Sequence, residues 1–279
     1  MIAFDFSYFR PDTLKEAVEI WSDLKSQGKT SVYYSGGSEI ITMCRAGSIK
    51  PDAVIDIKNI AECKGIYKDE NHLHIGSVCT LYEISKSKLF PLLGLCCGRI
   101  ADHTNQCRIT LGGNLSGTIM YRETSLALLV SDALISVYGM GGERTVPFCS
   151  IFNERMLLSP GEMITKISVP LWALSLRYTH IKKTTNEKID YPLLSLGGLV
   201  KDDKLRIAFS GLFAYPFRCE KLEEVLNDKK ESPYNRAKTA SSLIRNSVLD
   251  NTDASKEYRL FVFENTIQEV LEAVESGKI

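Results

Sequence analysis

The chain has 279 residues with 34 basic and 34 acidic side chains, so its formal net charge is zero. This length can bury a substantial core and predicts two domains, or three small ones. Because balanced charge gives no positive field, it argues against binding to nucleic acid or to an anionic membrane. A small molecule or another protein is the expected partner.

The first residues lack the basic and apolar segments of a secretory signal. The longest apolar stretch, residues 126–140, is interrupted by polar side chains and is too short to span a bilayer. Eight cysteines are scattered without C-x-x-C spacing, and the four histidines show no metal-binding spacing. We therefore expect a soluble cytoplasmic protein with reduced thiols and without a metal site.

The N-terminal third alternates helical and extended patterns. Apolar residues at helical spacing predict a helix over 13–24, and β-branched and aromatic residues predict a strand over 30–34. A Gly-Gly pair follows at the end of that strand, within residues 35–39. Further strands are predicted over 53–57 and 72–76, so this part indicates a small α+β unit.

Two helical segments within residues 82–102 lead to a second Gly-Gly pair, in residues 110–114. A β-hairpin is predicted over 132–147, because a glycine-rich turn separates two runs of β-forming residues. A strand over 164–170 ends at a proline, which predicts a domain boundary near residue 171.

Beyond that boundary, strand-like segments come first and helical segments follow. The predicted strands are 174–183, 193–201 and 205–215, and the predicted helices are 219–226, 234–243 and 258–276. This order indicates a separate α+β domain in which helices gather on one side of an antiparallel sheet.

The two Gly-Gly pairs carry the chemistry that the sequence offers. Glycine accepts positive φ and lets the main chain approach an anion, so two such loops can direct several bare N–H groups at one diphosphate. Neither loop matches G-x-G-x-x-G or the P-loop, which disfavours a Rossmann or P-loop site. A single Gly-Gly pair is more often a tight turn, so the prediction depends on the two loops converging.

Several segments, in order along nearly the whole chain, resemble the FAD-binding medium subunit of the molybdenum hydroxylases, the group of xanthine dehydrogenase and carbon monoxide dehydrogenase. The segments that carry the resemblance are Phe4–Pro11, Leu14–Ala17, Val32–Ile40, Leu73–Ser77, Arg108–Asn114 and Asp253–Arg259. The resemblance implies an α+β fold with an FAD-binding domain of the vanillyl-alcohol-oxidase or p-cresol-methylhydroxylase (PCMH) type over residues 1–170. Its two α+β subdomains would cover about 1–57 and 58–170, and a C-terminal sheet with helices would cover 171–279.

The same resemblance implies the site residues of a non-covalently bound FAD. The diphosphate would be held by backbone N–H groups and short hydroxyls of Val32, Ser35, Gly36, Gly37, Ser38, Glu39, Thr110, Gly112, Gly113 and Asn114. The flavin side would be contacted by Ile100, Glu123, Ile164 and Lys182. No catalytic side chain and no metal ligand is expected.

Each flavin-side assignment has a simpler alternative. Ile100 and Ile164 fit a hydrophobic core, Lys182 fits a solvated strand edge, and Glu123 fits a surface ion pair that contributes little. The segment Met120–Glu123 also departs from the Ser-Pro-x-Ser-Asp pattern of the family. This departure bears on cofactor affinity or on the electron acceptor.

Flavin bridges one-electron donors and two-electron acceptors, so the resemblance implies a relay. In this hypothesis the chain receives electrons from a [2Fe–2S] partner subunit and passes them to NAD⁺ or another acceptor, while a large molybdopterin subunit oxidises the substrate. The alternative is a non-catalytic assembly subunit with weak or no FAD binding. A stand-alone flavin oxidase is disfavoured, because the chain lacks a substrate-covering domain.

Overall fold

The computed structural model describes residues 1–185 and 189–279. Its strands are β1 Ser7–Phe9, β2 Ser31–Tyr34, β3 Ala53–Asp56, β4 Ile66–Lys68, β5 His72–Gly76, β6 Leu134–Gly139, β7 Gly142–Pro147, β8 Phe152–Asn153, β9 Arg155–Met156, β10 Met163–Pro170, β11 Arg177–Thr184, β12 Pro192–Lys201, β13 Lys204–Ser210 and β14 Phe217–Arg218. Its α-helices are α1 Leu14–Ser26, α2 Ser38–Ala46, α3 Leu81–Ser87, α4 Pro91–Gly98, α5 His103–Gln106, α6 Leu111–Ser116, α7 Thr124–Val130, α8 Phe148–Ile151, α9 Glu220–Leu226, α10 Pro233–Ile244 and α11 Lys256–Glu275.

The described residues form two compact units that interleave along the chain. Unit 1 consists of Met1–Leu89, Asp102–Gly117 and Asp132–Leu171. Unit 2 consists of Phe90–Ala101, Thr118–Ser131 and Trp172–Ile279. The domain limits predicted near residues 57 and 170 stay predictions, because these units are grouped by contact rather than by chain order.

Unit 1 contains two sheets. The first has three parallel strands in the order β1-β3-β2, and the second has five antiparallel strands in the order β4-β5-β10-β6-β7. Helix α1 begins where the Thr13 hydroxyl accepts a hydrogen bond from the N–H of Glu16, as a capping residue does. Its apolar face, including Ala17 and Val18, packs in one core cluster with Ile55 of β3. The helix predicted over 13–24 is confirmed.

Unit 2 is built on a four-stranded antiparallel sheet in the order β11-β12-β13-β14. Leu194 and Leu196 of β12 belong to one core cluster with Phe263 of α11. On the opposite face a Cβ at Gly197 would lie 3.2 Å from Cβ of Leu126 in α7. The antiparallel sheet with helices is confirmed, and the three predicted C-terminal helices, α9, α10 and α11, share one core cluster with β12 on one face of the sheet. Helices α4 and α7 cover the second face, which explains why β12 is buried along nearly its whole length.

Several predicted boundaries also differ from the structure. Pro91 stands at the first position of α4 and separates it from α3, so the helical pattern across residues 82–97 contains two helices. The helix predicted over 95–102 is wrong, since α4 ends at Gly98. The last predicted strand is shorter than expected, because β13 ends at Ser210, directly before Gly211 with φ of +86°.

Candidate functional site

The two glycine loops meet in unit 1. The first glycine loop, residues 35–39, joins β2 to α2, and the second glycine loop, residues 110–114, leads into α6. The side-chain oxygens of Ser35 and Thr110 are 2.7 Å apart and share a hydrogen bond. A Cβ at Gly36 would overlap the carbonyl oxygen of Arg108. Only glycine therefore allows the first loop to approach the second so closely.

The first glycine loop leads into the amino end of α2 and contains one buried hydroxyl without a partner among the described residues. Gly37 has φ of +72° and precedes α2 without a side chain that could cap the helix. The N–H groups of the first helical turn have no intrahelical acceptor. The hydroxyl oxygen of Ser38 is buried and has no hydrogen-bond partner among the described residues. Because the amino end of a helix carries partial positive charge, this turn is suited to an anion.

The second glycine loop does not offer the bare N–H groups that the sequence predicted. The N–H of Gly112 donates to the carbonyl oxygen of Ser77 at 2.8 Å, and the N–H of Asn114 donates to the carbonyl oxygen of Thr110 at 2.8 Å. The N–H of Gly113 donates to the Thr110 hydroxyl at 3.3 Å. That expectation is wrong, because the loop uses these donors to fold on itself and on Ser77. Its available contribution is the Thr110 hydroxyl.

A buried carboxylate and a lysine lie beside the first glycine loop, and sequence reasoning missed both. Asp56 ends β3, and Lys58 follows two residues later with its ammonium group 2.6 Å from the Asp56 carboxylate. The same ammonium group donates to the carbonyl oxygen of Ser35 at 3.2 Å. A polar residue at the carboxyl end of a parallel strand, beside a glycine loop, was the available signal.

The ionisation of Asp56 is set by its neighbours. Burial raises the pKa of this carboxyl, but the hydrogen bonds from Lys58 and Tyr8 together lower it by more than burial raises it. The net shift of the pKa is therefore downward. The hydroxyl of Tyr8 donates to Asp56. Asp56 is thus a carboxylate at neutral pH and accepts hydrogen bonds from two different side chains.

The predicted site residues Glu123 and Lys182 form an ion pair in unit 2. Their charged atoms are 3.0 Å apart and both side chains are only 4% exposed. Lys182 also donates to the carbonyl oxygen of Arg99 at 2.8 Å. Burial raises the pKa of Glu123 although Lys182 opposes this shift. The surface ion pair and the solvated strand edge considered for these residues are therefore both wrong.

His180 lies on β11 two residues before Lys182. Burial, with the positive charges of Arg99 and Lys182, lowers the pKa of this imidazole to about 4. Both ring nitrogens are buried without a hydrogen-bond partner among the described residues, and so is one carboxylate oxygen of Glu123. His180 is consequently neutral at physiological pH.

The structure divides the predicted site residues between the units. Unit 1 holds Val32, Ser35, Gly36, Gly37, Ser38, Glu39, Thr110, Gly112, Gly113, Asn114 and Ile164, and unit 2 holds Ile100, Glu123 and Lys182. Ile164 is a core residue of β10, 4% exposed, whereas Ile100 is half-buried. The flavin-side roles of Ile100, Glu123, Ile164 and Lys182 stay predictions.

Two further properties concern the described residues as a whole. Among residues 1–185 and 189–279, no three histidine, cysteine, aspartate or glutamate side chains are grouped so that they could hold a metal ion. Within the same ranges, none of the helices has the length and apolar character needed to cross a membrane.

The chain is similar to several known proteins. Residues 4–172 match the family described as FAD binding domain in molybdopterin dehydrogenase. The glyceraldehyde dehydrogenase medium chain of Sulfolobus acidocaldarius is 26% identical, with 81% of this chain and 82% of the relative covered. The xanthine dehydrogenase FAD-binding subunit of Escherichia coli O157:H7 is 23% identical, with 99% of both chains covered.

A solved structure of carbon monoxide dehydrogenase from Hydrogenophaga pseudoflava, lacking the Mo-pyranopterin moiety, matches with a TM-score of 0.88 at 21% identity. The match covers 99% of both chains. These comparisons confirm the family resemblance, the α+β fold class and the assignment to an oxidoreductase family.

Proposed function

We propose, from the premise that the chain belongs to the family of FAD binding domains in molybdopterin dehydrogenases, that its first glycine loop holds the diphosphate of a non-covalently bound FAD. One observation carries the proposal. The buried Ser38 hydroxyl has no hydrogen-bond partner among the described residues, and it stands at the uncapped first turn of α2. A buried polar group without a partner is costly, so a ligand oxygen is its expected partner.

The residues of unit 1 fit a diphosphate in type and placement. The Ser38 hydroxyl and the first-turn N–H groups of α2 are donors, and anionic oxygens are their strongest acceptors. Ser35 and Thr110 add two hydroxyls that already share one hydrogen bond. Gly36 and Gly37 lack side chains, which lets the loop pack directly on the Arg108 carbonyl and on the Tyr34 ring. This chain would thus orient FAD mainly through main-chain donors and short hydroxyls.

The wider proposal is an electron-transfer subunit of a molybdenum hydroxylase complex. Bound flavin supplies the ability to exchange electrons one or two at a time. We infer that the chain works beside a [2Fe–2S] subunit and a molybdopterin subunit, and delivers electrons to NAD⁺ or to another acceptor. The medium-chain and FAD-binding-subunit names of its relatives support this arrangement. Eight cysteines without disulfides fit a cytoplasmic setting.

Titration of the purified chain with FAD tests the central claim. Bound FAD is measured by flavin absorbance and by quenching of flavin fluorescence. Ser38→Ala removes the unpaired hydroxyl and is expected to weaken binding about tenfold or more, because hydrogen bonds to charged groups contribute roughly 1.5–3 kcal/mol. Ser48→Ala is the matched control, because Ser48 is exposed just beyond α2. A folded chain that FAD cannot reconstitute contradicts the proposal.

The assembly-subunit alternative predicts a different outcome in the intact complex. If the chain only scaffolds its partners, Ser38→Ala leaves both assembly and electron transfer to any acceptor unchanged. If it is the relay, assembly persists while the flavin content and the rate of acceptor reduction fall together. Comparing NAD⁺ with an artificial acceptor in the same complex identifies which acceptor the flavin serves.

A further inference from the structure

Lys58 connects the end of β3 to the first glycine loop. Its ammonium group donates to the carboxylate of Asp56 at 2.6 Å and to the carbonyl oxygen of Ser35 at 3.2 Å. It also lies 4.4 Å from the centroid of the Tyr34 ring, within the range of a cation–π contact. Although the side chain is 43% exposed, three separate contacts restrain it.

Asp56 holds Lys58 in place through hydrogen bonds. One carboxylate oxygen accepts a hydrogen bond from the backbone N–H of Lys58 at 3.0 Å. The other oxygen accepts from the hydroxyl of Tyr8 and from the Lys58 ammonium group. Since Asp56 is only 3% exposed, its position is set by the sheet, and the position of Lys58 follows from it. The pair carries no net charge toward a ligand.

The Tyr34 ring extends this support to the next residues of the loop. A Cβ at Gly37 would overlap the ring of Tyr34, so the ring packs directly on the Gly37 backbone. Lys58 therefore contacts the loop at two places, at the Ser35 carbonyl and, through Tyr34, beneath Gly37. The two contacts, at Ser35 and at Gly37, lie on either side of Gly36 and directly before the first turn of α2.

We propose that Lys58 is a positioning residue that, anchored by Asp56, holds the first glycine loop in its anion-binding conformation before a ligand arrives. This inference rests on the proposed function, because it concerns the same diphosphate site. A loop that is already ordered loses less conformational entropy on binding, and affinity rises accordingly. The role is separate from a direct salt contact between Lys58 and a phosphate.

The two roles predict opposite effects of Asp56→Asn. If Lys58 contacted the phosphate directly, removing the neighbouring negative charge would strengthen FAD binding. If Lys58 acts by holding the loop, the same substitution frees the lysine from its anchor and weakens binding. The sign of the change in affinity therefore distinguishes a positioning residue from a direct phosphate ligand.

The experiment measures the FAD dissociation constant of the full chain and of three variants by fluorescence quenching. Lys58→Met and Asp56→Asn are each expected to weaken binding about tenfold, the equivalent of roughly one lost hydrogen bond. Lys68→Met is the matched control on an exposed strand position and is expected to leave the affinity unchanged. Tighter binding by Asp56→Asn, or unchanged binding by Lys58→Met, overturns the proposal.

A second measurement does not need the ligand. In the FAD-free chain, hydrogen exchange at the amides of residues 36–40 is expected to be faster in Lys58→Met than in the wild type, with no change in Lys68→Met. If the wild type fails to bind FAD, the proposed function fails while this exchange experiment still tests the loop. If FAD binds but neither affinity nor exchange responds to Lys58→Met, only the positioning role is wrong.

Discussion

The first glycine loop of unit 1 and the Glu123–Lys182 pair of unit 2 are polar regions of opposite construction. The loop relies on backbone donors and on one buried hydroxyl without a partner among the described residues, and the adjacent charges of Asp56 and Lys58 neutralise each other. The pair in unit 2 consists of two buried opposite charges, each of which needs the other. The first region can accept an anion without losing a contact, whereas the second cannot lose either member without leaving a buried charge unpaired.

The two regions should contribute differently to ligand affinity and to folding stability. Changes in the loop should alter affinity for a diphosphate more than they alter folding, unless they create a steric overlap. Changes in the buried pair should destabilise unit 2 whether or not a ligand is present.

The largest expected effect is that of Lys182→Met. It leaves the carboxylate of Glu123 buried without its cation, which costs about 3–5 kcal/mol in the free energy of unfolding. Urea denaturation measures this loss. The loss should be smaller at pH 5 than at pH 8, because burial without Lys182 raises the pKa of Glu123 further and protonation then removes the charge.

Lys183→Met serves as its control. Lys183 is 45% exposed and lies 4.0 Å from Glu269, so its removal should cost at most about 1 kcal/mol. Equal losses for the two lysine variants would show that the Glu123–Lys182 pair is no more important than a surface pair.

Gly36→Ala is a loop substitution that should reduce both the affinity for FAD and the stability of the fold. The added Cβ overlaps the Arg108 carbonyl oxygen and forces the two glycine loops apart. We expect the free energy of unfolding to fall by about 1–3 kcal/mol and FAD binding to fall below detection in fluorescence titration. Gly141→Ala, where a Cβ would meet no atom within 4 Å, should change neither. Normal FAD affinity in Gly36→Ala would contradict the convergent site.

The smallest predicted effect concerns pH. His180 is buried with its pKa lowered to about 4, so the unfolded chain binds a proton more readily than the folded chain between about pH 6.5 and 4. Stability from this residue is therefore full above pH 7 and falls by about 2 kcal/mol at pH 5. His180→Gln should flatten that part of the stability profile, whereas His103→Gln, at an exposed position, should not. If the stability of His180→Gln depended on pH as that of the wild type does, His180 would not be the group responsible for the loss of stability.

Local sequence patterns predicted much of the fold. The periodicity of α1, the β-branched residues of β2 and the apolar run of β12 each gave the correct element, because these signals depend on neighbouring residues alone. The membership of α4 and α7 in unit 2 was not predicted. Both helices are buried through contacts with strands that come much later in the chain, and no local pattern encodes those contacts.

The site shows the same limit. Gly36 and Gly37 pointed to a close backbone approach, and the structure brings the first glycine loop to Thr110. The sequence did not predict that the N–H groups of the second loop are already hydrogen-bonded, because the N–H of Gly112 pairs with the carbonyl oxygen of the distant Ser77. The burial of Glu123 was also missed, since its partner Lys182 is distant in sequence and only the folded sheet brings them together.

The contact between Gly36 and the Arg108 carbonyl oxygen joins segments that are far apart in the chain. Because each segment packs on the other, we expect residues 35–39 moved alone into another scaffold to lose the geometry proposed for anion binding. To reuse this pair of loops in another protein, residues 108–114 must be moved as well. The end of the strand that precedes the first loop must also be kept, so that the two loops stay next to each other.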